Sequence, residues 1–317
     1  MAFSNQRFHI FKFCSINIVI LRFKTAIESA VNCFFKTTFM EKFTLEILFQ
    51  IIGIGSASGL FFNNDSLYII GDNSGFLYEY NMQNQQLNQH PLIDNPTQNI
   101  PKNLKPDFES LTHHNDTLYV FGSGSTENRN KMVVFDIKSK TILQKNNLVD
   151  LYAVMQNFGT IKPEDFNLEG AVFDGENWYL FNRGNGISNK NTIFTIHAKS
   201  LGDEFALVAT NYKLPKIKGV RSSFTDAILV EDKIYFLSTA EDTKSTYDDG
   251  EILGSFIGRI DLKTMKIDFT QKITSANKFE GLTFYKKENN KIEFLLCEDN
   301  DTELLETKIF KLILPIK

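Results

Sequence analysis

The sequence predicts an all-β protein built as a closed ring of five four-stranded blades, a β-propeller, on three observations. First, a strand-opening pattern returns five times, as Ala57-Ser58-Gly59-Leu60, Phe108-Glu109-Ser110-Leu111, Leu168-Glu169-Gly170-Ala171, Phe224-Thr225-Asp226-Ala227 and Phe279-Glu280-Gly281-Leu282. The second residues lie 51 (109−58), 60, 56 and 55 apart, a period that marks a repeat architecture. Second, each pattern leads into short runs rich in Val, Ile, Phe, Tyr and Thr, broken by turns such as Asn63-Asn64-Asp65 and Asp174-Gly175. Third, the last repeat falls one strand short, and a segment near residue 43 supplies it.

Taken in order, the first repeat offers strands at 59–62, 67–70 and 76–80 and a weak one at 86–90. The second offers 110–113, 117–121, 132–137 and 141–145, and the third 170–173, 178–182, 192–197 and 205–214. The fourth offers 226–230, 233–238, 256–262 and 266–273. Four antiparallel strands in about 50 residues is the size of a propeller blade. The fifth repeat has three, at 281–285, 291–297 and 307–314. Residues 43–49, Phe-Thr-Leu-Glu-Ile-Leu-Phe, complete it and join the two ends of the ring. A six-bladed ring would need an unrecognised repeat, for which the stretch 86–107 is the candidate. A β-sandwich would not explain the recurring slot.

Composition fits one large soluble domain over residues 40–317. The chain has 317 residues, 42% hydrophobic and 23% charged. Its net charge of −4, with no basic stripe, argues against a nucleic-acid partner. Residues 1–39 differ from the rest: Cys14 and Cys33, eight Phe, five Lys or Arg and a single acid, Glu28. Their longest apolar run, 16–21, is broken by Asn17 and too short to span a bilayer. They are read as a poorly ordered extension, the alternative being a membrane-adhering or targeting tail. Beyond them only Cys297 remains, so no disulfide framework is expected and a reducing, cytoplasmic setting is.

In a propeller the first strand of each blade lines the central channel. The slot residues Ser58, Glu109, Glu169, Thr225 and Glu280 should therefore converge near its mouth, with Asp226 replacing Thr225 if the register slips by one. Three crowded carboxylates require protonation or a counterion. A hard divalent cation taking oxygen ligands meets that need, and Ca²⁺ suits a roomy acidic ring better than Mg²⁺. No Cys or paired His sits in the ring, which argues against Zn²⁺. The alternative is a polar mouth whose acids are paired by Lys, Arg or water.

Loops leaving each second strand open on the same face, and Asp72, Arg183 and Arg221 stand out there. An arginine beside a bound cation suits an anion that bridges both, and Asp72 suits a ligand, a base or a water-orienting group. Equally, Asp72 suits its own turn and the arginines suit neutralisation of the acidic ring. The acidic run Tyr247-Asp248-Asp249-Gly250-Glu251 offers a second cation site or a solvated loop. His113-His114 read as one packed and one surface histidine.

The slot order Ser, Glu, Glu, hydroxyl, Glu, with Asp72-Asn73-Ser74-Gly75, Leu77-Tyr78-Glu79-Tyr80 and Arg183, resembles the calcium-activated nucleotidases, or soluble apyrases. That resemblance implies a five-bladed propeller with a central Ca²⁺ and hydrolysis of nucleoside di- and triphosphates. The chain departs from it at Gly124-Ser125-Thr126-Glu127 and at the paired arginines, of which only Arg183 is present. A second resemblance is to an uncharacterised bacterial propeller family, itself loosely similar to phytase-like esterase propellers. It rests on Lys105-Pro106-Asp107-Phe108-Glu109-Ser110-Leu111, Phe181-Asn182-Arg183-Gly184-Asn185 and Asp249-Gly250-Glu251-Ile252-Leu253-Gly254-Ser255. The expected function is a Ca²⁺-centred propeller that binds, or as a metal-dependent phosphoric-ester or phosphoanhydride hydrolase turns over, a small anionic molecule. The alternative is a non-catalytic, metal-stabilised scaffold.

Overall fold

Strand β1 (Thr44–Ile52) opens the structure, a computed structural model that describes residues 43–246, 250–299 and 304–316. All of these belong to one compact unit, Phe43–Lys317. The extension expected over residues 1–39 lies outside them. Blade 1 follows as β2 (Ala57–Asn63), β3 (Ser66–Gly71), β4 (Phe76–Asn81) and β5 (Leu87–Pro91). Blade 2 is β6 (Phe108–His114), β7 (Thr117–Gly122), β8 (Lys131–Asp136) and β9 (Thr141–Asn147). Blade 3 is β10 (Leu168–Phe173), β11 (Asn177–Asn182), β12 (Asn191–His197) and β13 (Ala206–Tyr212).

A two-stranded ribbon, β14 (Lys216–Ile217) and β15 (Val220–Arg221), turns through Lys218 and Gly219, both at positive φ as a tight two-residue hairpin demands. Blade 4 is β16 (Ser223–Val230), β17 (Lys233–Asp242), β18 (Glu251–Asp261) and β19 (Lys266–Lys272). Blade 5 holds β20 (Phe279–Glu288), β21 (Lys291–Glu298) and β22 (Glu306–Pro315), and β1 docks antiparallel on β22 as its outer strand. The ring therefore has five blades and closes through the N-terminal strand. Residues 86–107 give β5 and an irregular connection, with no sixth blade.

The inner strands form an unbroken circle. β2 lies between β6 and β20, and β10 joins β6 to β16, which in turn meets β20. Each seam between neighbouring blades is filled by its own apolar cluster, five in all among the described residues. The residue before each slot anchors this packing: Ala57, Phe108, Leu168, Phe224 and Phe279 are all fully buried. A blade alone would leave that surface wet, so the seams hold the ring together.

The β14–β15 ribbon and one α-helix have no counterpart in the sequence reading. Helix α1 (Val149–Gly159) covers the seam of blades 2 and 3, burying Leu151, Tyr152, Met155 and Gly159. Residues 151, 155 and 159 follow the i, i+4 spacing of one helical face. Asn147 Oδ1 accepts the Val149 N–H at its start, and Thr160, left-handed, ends it.

Candidate functional site

All five slot residues occupy the same unusual position: a β-bulge at the start of the inner strand. The ladder skips Ser58, Glu109, Glu169, Thr225 and Glu280 while their neighbours on both sides stay paired. A bulged residue is released from the pleat and re-aimed. Just beyond the slot, blades 1, 3 and 5 carry glycine, where a side chain would be crowded. A Cβ on Gly281 would sit 2.5 Å from Cys297 Sγ, and one on Gly170 would meet the backbone of Asp226 at 3.3 Å.

The ring residues then divide. Ser58 donates to the carbonyl oxygen of Phe108 at 2.5 Å, and Thr225 to that of Phe279 at 2.6 Å. Both hydroxyls thus tie one blade to the next. Asp226 likewise bridges blades, accepting the N–H of Leu282 at 2.6 Å and its own neighbour's at 2.7 Å. The three glutamates instead line a cavity of about 610 Å³ at the channel mouth.

Two further tiers surround them. Two residues before each slot stand Ser56, Asp107, Asn167, Ser223 and Lys278. Just past the end of the second strand stand Asp72, Ser123, Arg183 and Asp299 in blades 1, 2, 3 and 5, while in blade 4 the equivalent Thr239 lies within the longer β17. Backbone N–H groups of the outer tier bond to carbonyls of the middle one: Asp72 to Ser56, Ser123 to Asp107, Arg183 to Asn167 and Asp299 to Lys278. The cavity is therefore walled by stacked positions that the blade repeat fixes.

Charges alternate around the wall. Arg183 donates to Glu169 at 3.1 Å and to Glu241, and lies 3.7 Å from Glu280. Lys278 meets Glu280 at 3.0 Å and Asp299 at 3.1 Å. Lys105 contacts Asp72 and lies 2.8 Å from Asp107, whose other oxygen takes Arg129 at 2.7 Å and the Ser123 hydroxyl. Burial alone would lower the Arg183 guanidinium, but Glu169, Glu241 and Glu280 outweigh it and hold it raised. Burial raises Glu169 despite its partners Arg183 and Lys278, and raises Glu280 well above the usual range.

Glu109 is different. It is buried, forms no ion pair or hydrogen bond among the described residues, and is pushed well above the carboxylate range by burial and by Asp107, Glu169, Asp72 and Glu280. Carboxylate oxygens of Asp72, Asp107 and Glu109 all lie within 4.8 Å of one another. Asp72 Oδ1 is buried without a hydrogen-bond partner. Three hard oxygen donors, one wholly unpaired, fit a divalent cation of the Ca²⁺ or Mg²⁺ kind. This acidic triad could hold a metal ion, and it shares only Glu109 with the expected ring.

Of the other residues singled out in the sequence, Asp72 and Arg183 line this cavity. Arg221 lines a separate one, of about 250 Å³, with the 184–187 loop and Lys244. His113 and His114 are both half-buried away from the mouth, and His113 is lowered to about 4 by burial and then by His114. Residues 247–249 of the acidic run lie outside the described residues. The sequence reading gave no site role to Lys105, Asp107, Arg129, Glu241, Lys278 and Asp299. Asp107 and Lys278 precede their strands, Asp107 at positive φ, so no strand alternation marks them in the sequence.

Residues 53–314 match a family of unknown function, DUF6929. The chain belongs to that family. Among solved structures it is similar to a glutaminyl cyclase of Myxococcus xanthus, with a TM-score of 0.50 at 13% identity over 86% of this chain and 97% of that one. It is also similar to a PQQ-bound aldose sugar dehydrogenase of Streptomyces coelicolor, with a TM-score of 0.47 at 10% identity over 86% and 98%. At such identities the likeness to the cyclase speaks for the fold alone. No curated protein matches the sequence. No helix among the described residues is long and apolar enough to cross a membrane.

Proposed function

We propose that the channel mouth binds a small anionic molecule together with one divalent cation, Ca²⁺ by its donor chemistry, held by Asp72, Asp107 and Glu109. The observation that carries this reading is Glu109, a buried carboxylate beside two others with no cationic side chain of its own. Lone carboxylates in such a place are costly unless neutralised. A cation bound there would supply the positive charge against which an anionic oxygen docks, flanked by Lys105 and Arg129.

Binding is the reading, rather than turnover. Hydrolysis of a phosphoric ester needs groups able to follow developing charge. Arg183 is committed to Glu169, Glu241 and Glu280, and Arg221 faces another cavity. A second reading, a metal-free hub that only pins the blades and presents loops to a partner, is favoured by the dense pairing around Arg183, Lys278 and Lys105.

Calorimetric titration separates the two. The expected result is one Ca²⁺ per chain, with affinity falling at least about tenfold in Glu109→Gln, near 1.4 kcal/mol. No heat from Ca²⁺, or equal affinity in the variant, would leave the metal-free hub standing.

A further inference from the structure

The cavity is not electrostatically uniform. On the side of blades 1 and 2, Asp72, Asp107 and Glu109 face Lys102, Lys105 and Arg129, three acidic groups to three basic ones among the described residues. On the side of blades 3 to 5, Glu169, Glu280 and Asp299 face Arg183 and Lys278, three acidic groups to two basic ones among the described residues. Glu241, held by Arg183 behind that wall, adds a fourth acidic group. With a divalent cation on the acidic triad, the first side becomes the cationic one while the second stays rich in acidic groups.

Such a field selects a ligand with two unlike ends. The cationic side suits the phosphate of a monoester, which is largely a dianion near neutral pH. The acidic side repels a second phosphate and accepts hydrogen-bond donors. The remaining lining residues are Ser56, Asn73, Asn99, Asn167, Thr246 and Ile100. Five offer hydroxyl or amide groups, one is aliphatic, and among the described residues none offers an aromatic face on which a base could stack. A volume of about 610 Å³ accommodates a single small molecule.

We propose that the ligand is a phosphate monoester of a compact polyhydroxylated body, a sugar phosphate, with its phosphate toward blades 1 and 2 and its hydroxyls toward blades 3 to 5. This rests on the cation-dependent reading above and goes further by naming the ligand class. It differs from the nucleotide preference that the soluble-apyrase resemblance implies.

The test is calorimetry in saturating Ca²⁺ with four probes: glucose 6-phosphate, inorganic phosphate, glucose and AMP. Glucose 6-phosphate should bind at least about tenfold more tightly than each of the other three. Lys102→Gln should weaken glucose 6-phosphate and inorganic phosphate together. Asn167→Ala should narrow the gap between them, because it touches only the hydroxyl-facing side. Thermal unfolding by circular dichroism verifies that each variant is folded. AMP binding as tightly as the sugar phosphate, glucose binding as tightly without its phosphate, or none of the four binding while Ca²⁺ binds, overturns the assignment of ligand class and leaves the cation site intact. Failure of Ca²⁺ itself to bind, read first and alone, removes the cation-dependent reading instead.

Discussion

Arg183 does at the hub what a metal would otherwise do there: its guanidinium neutralises Glu169 and Glu241 directly and sits 3.7 Å from Glu280. Taking one partner from a buried charge cluster strands the others. Arg183→Met should therefore cost about 3–5 kcal/mol of stability at pH 7.5. The sign of its pH dependence follows from the carboxylates. Without the guanidinium, the folded-state pKa values of Glu169 and Glu280, already raised by burial, rise further above the ordinary 4.5. Groups raised in the folded state favour folding in acid and lose that contribution as pH rises through their folded-state values. The deficit should thus shrink between pH 7.5 and 5. Thermal unfolding of both proteins at the two pH values measures it, and a deficit independent of pH would mean that Arg183 acts through packing alone. The sequence could show that Arg183 follows a second strand, but not that Glu241 reaches back to it from the far end of β17. That pairing depends on how two blades are set against each other, which no local pattern records.

Strand β1 shows how much an edge can carry. It is the first described element of the chain and pairs with β22, close to the C-terminus, along its whole length, from Thr44 against Ile313 to Ile52 against Glu306. Its apolar residues are divided by burial: Ile51 is 1% exposed, within the cluster joining blades 5 and 1, whereas Ile52 is 70% exposed. Ile51→Ala should cost about 2–4 kcal/mol and Ile52→Ala close to nothing. Equal effects in denaturant titrations would show that the closing strand contributes through its backbone bonds only. This element was legible because the last repeat lacked one strand and a β-rich segment stood unclaimed before the first. Helix α1 was not. Its buried face, Leu151, Tyr152, Met155 and Gly159, is short and sits between two strand-rich repeats. The fifty-residue period therefore absorbed it as connection. The bulges were also unseen, since a pattern of residue types tells which position recurs, not that the ladder skips it.

At the scale of the whole ring, closure makes the five blades interdependent. Each seam is shared by two blades, and the inner strands leave no gap in the circle. The single tryptophan, Trp178, is buried in blade 3, whereas the acidic triad lies across blades 1 and 2. Ca²⁺ at about a hundred times its dissociation constant should stabilise the protein by about 2.7 kcal/mol. Trp178 fluorescence and far-ultraviolet circular dichroism should report the same shift, and EGTA should remove it from both. A shift seen by circular dichroism but not at Trp178 would show that the blades unfold separately. The ring order and the acidic character of the mouth were readable because three glutamates recur at fixed spacing. The off-centre triad was not, because Asp72 comes from a turn of blade 1 and Asp107 from the connection into blade 2.

The five bulges have a practical corollary. A side chain released from the pleat takes no part in its own blade's ladder, whatever its type. Serine, threonine and glutamate already occupy equivalent sockets here with no change in the surrounding ladder. The glutamate spokes could accordingly be exchanged for their amides with each ladder unchanged, whereas Ser58 and Thr225 are rivets between neighbouring blades.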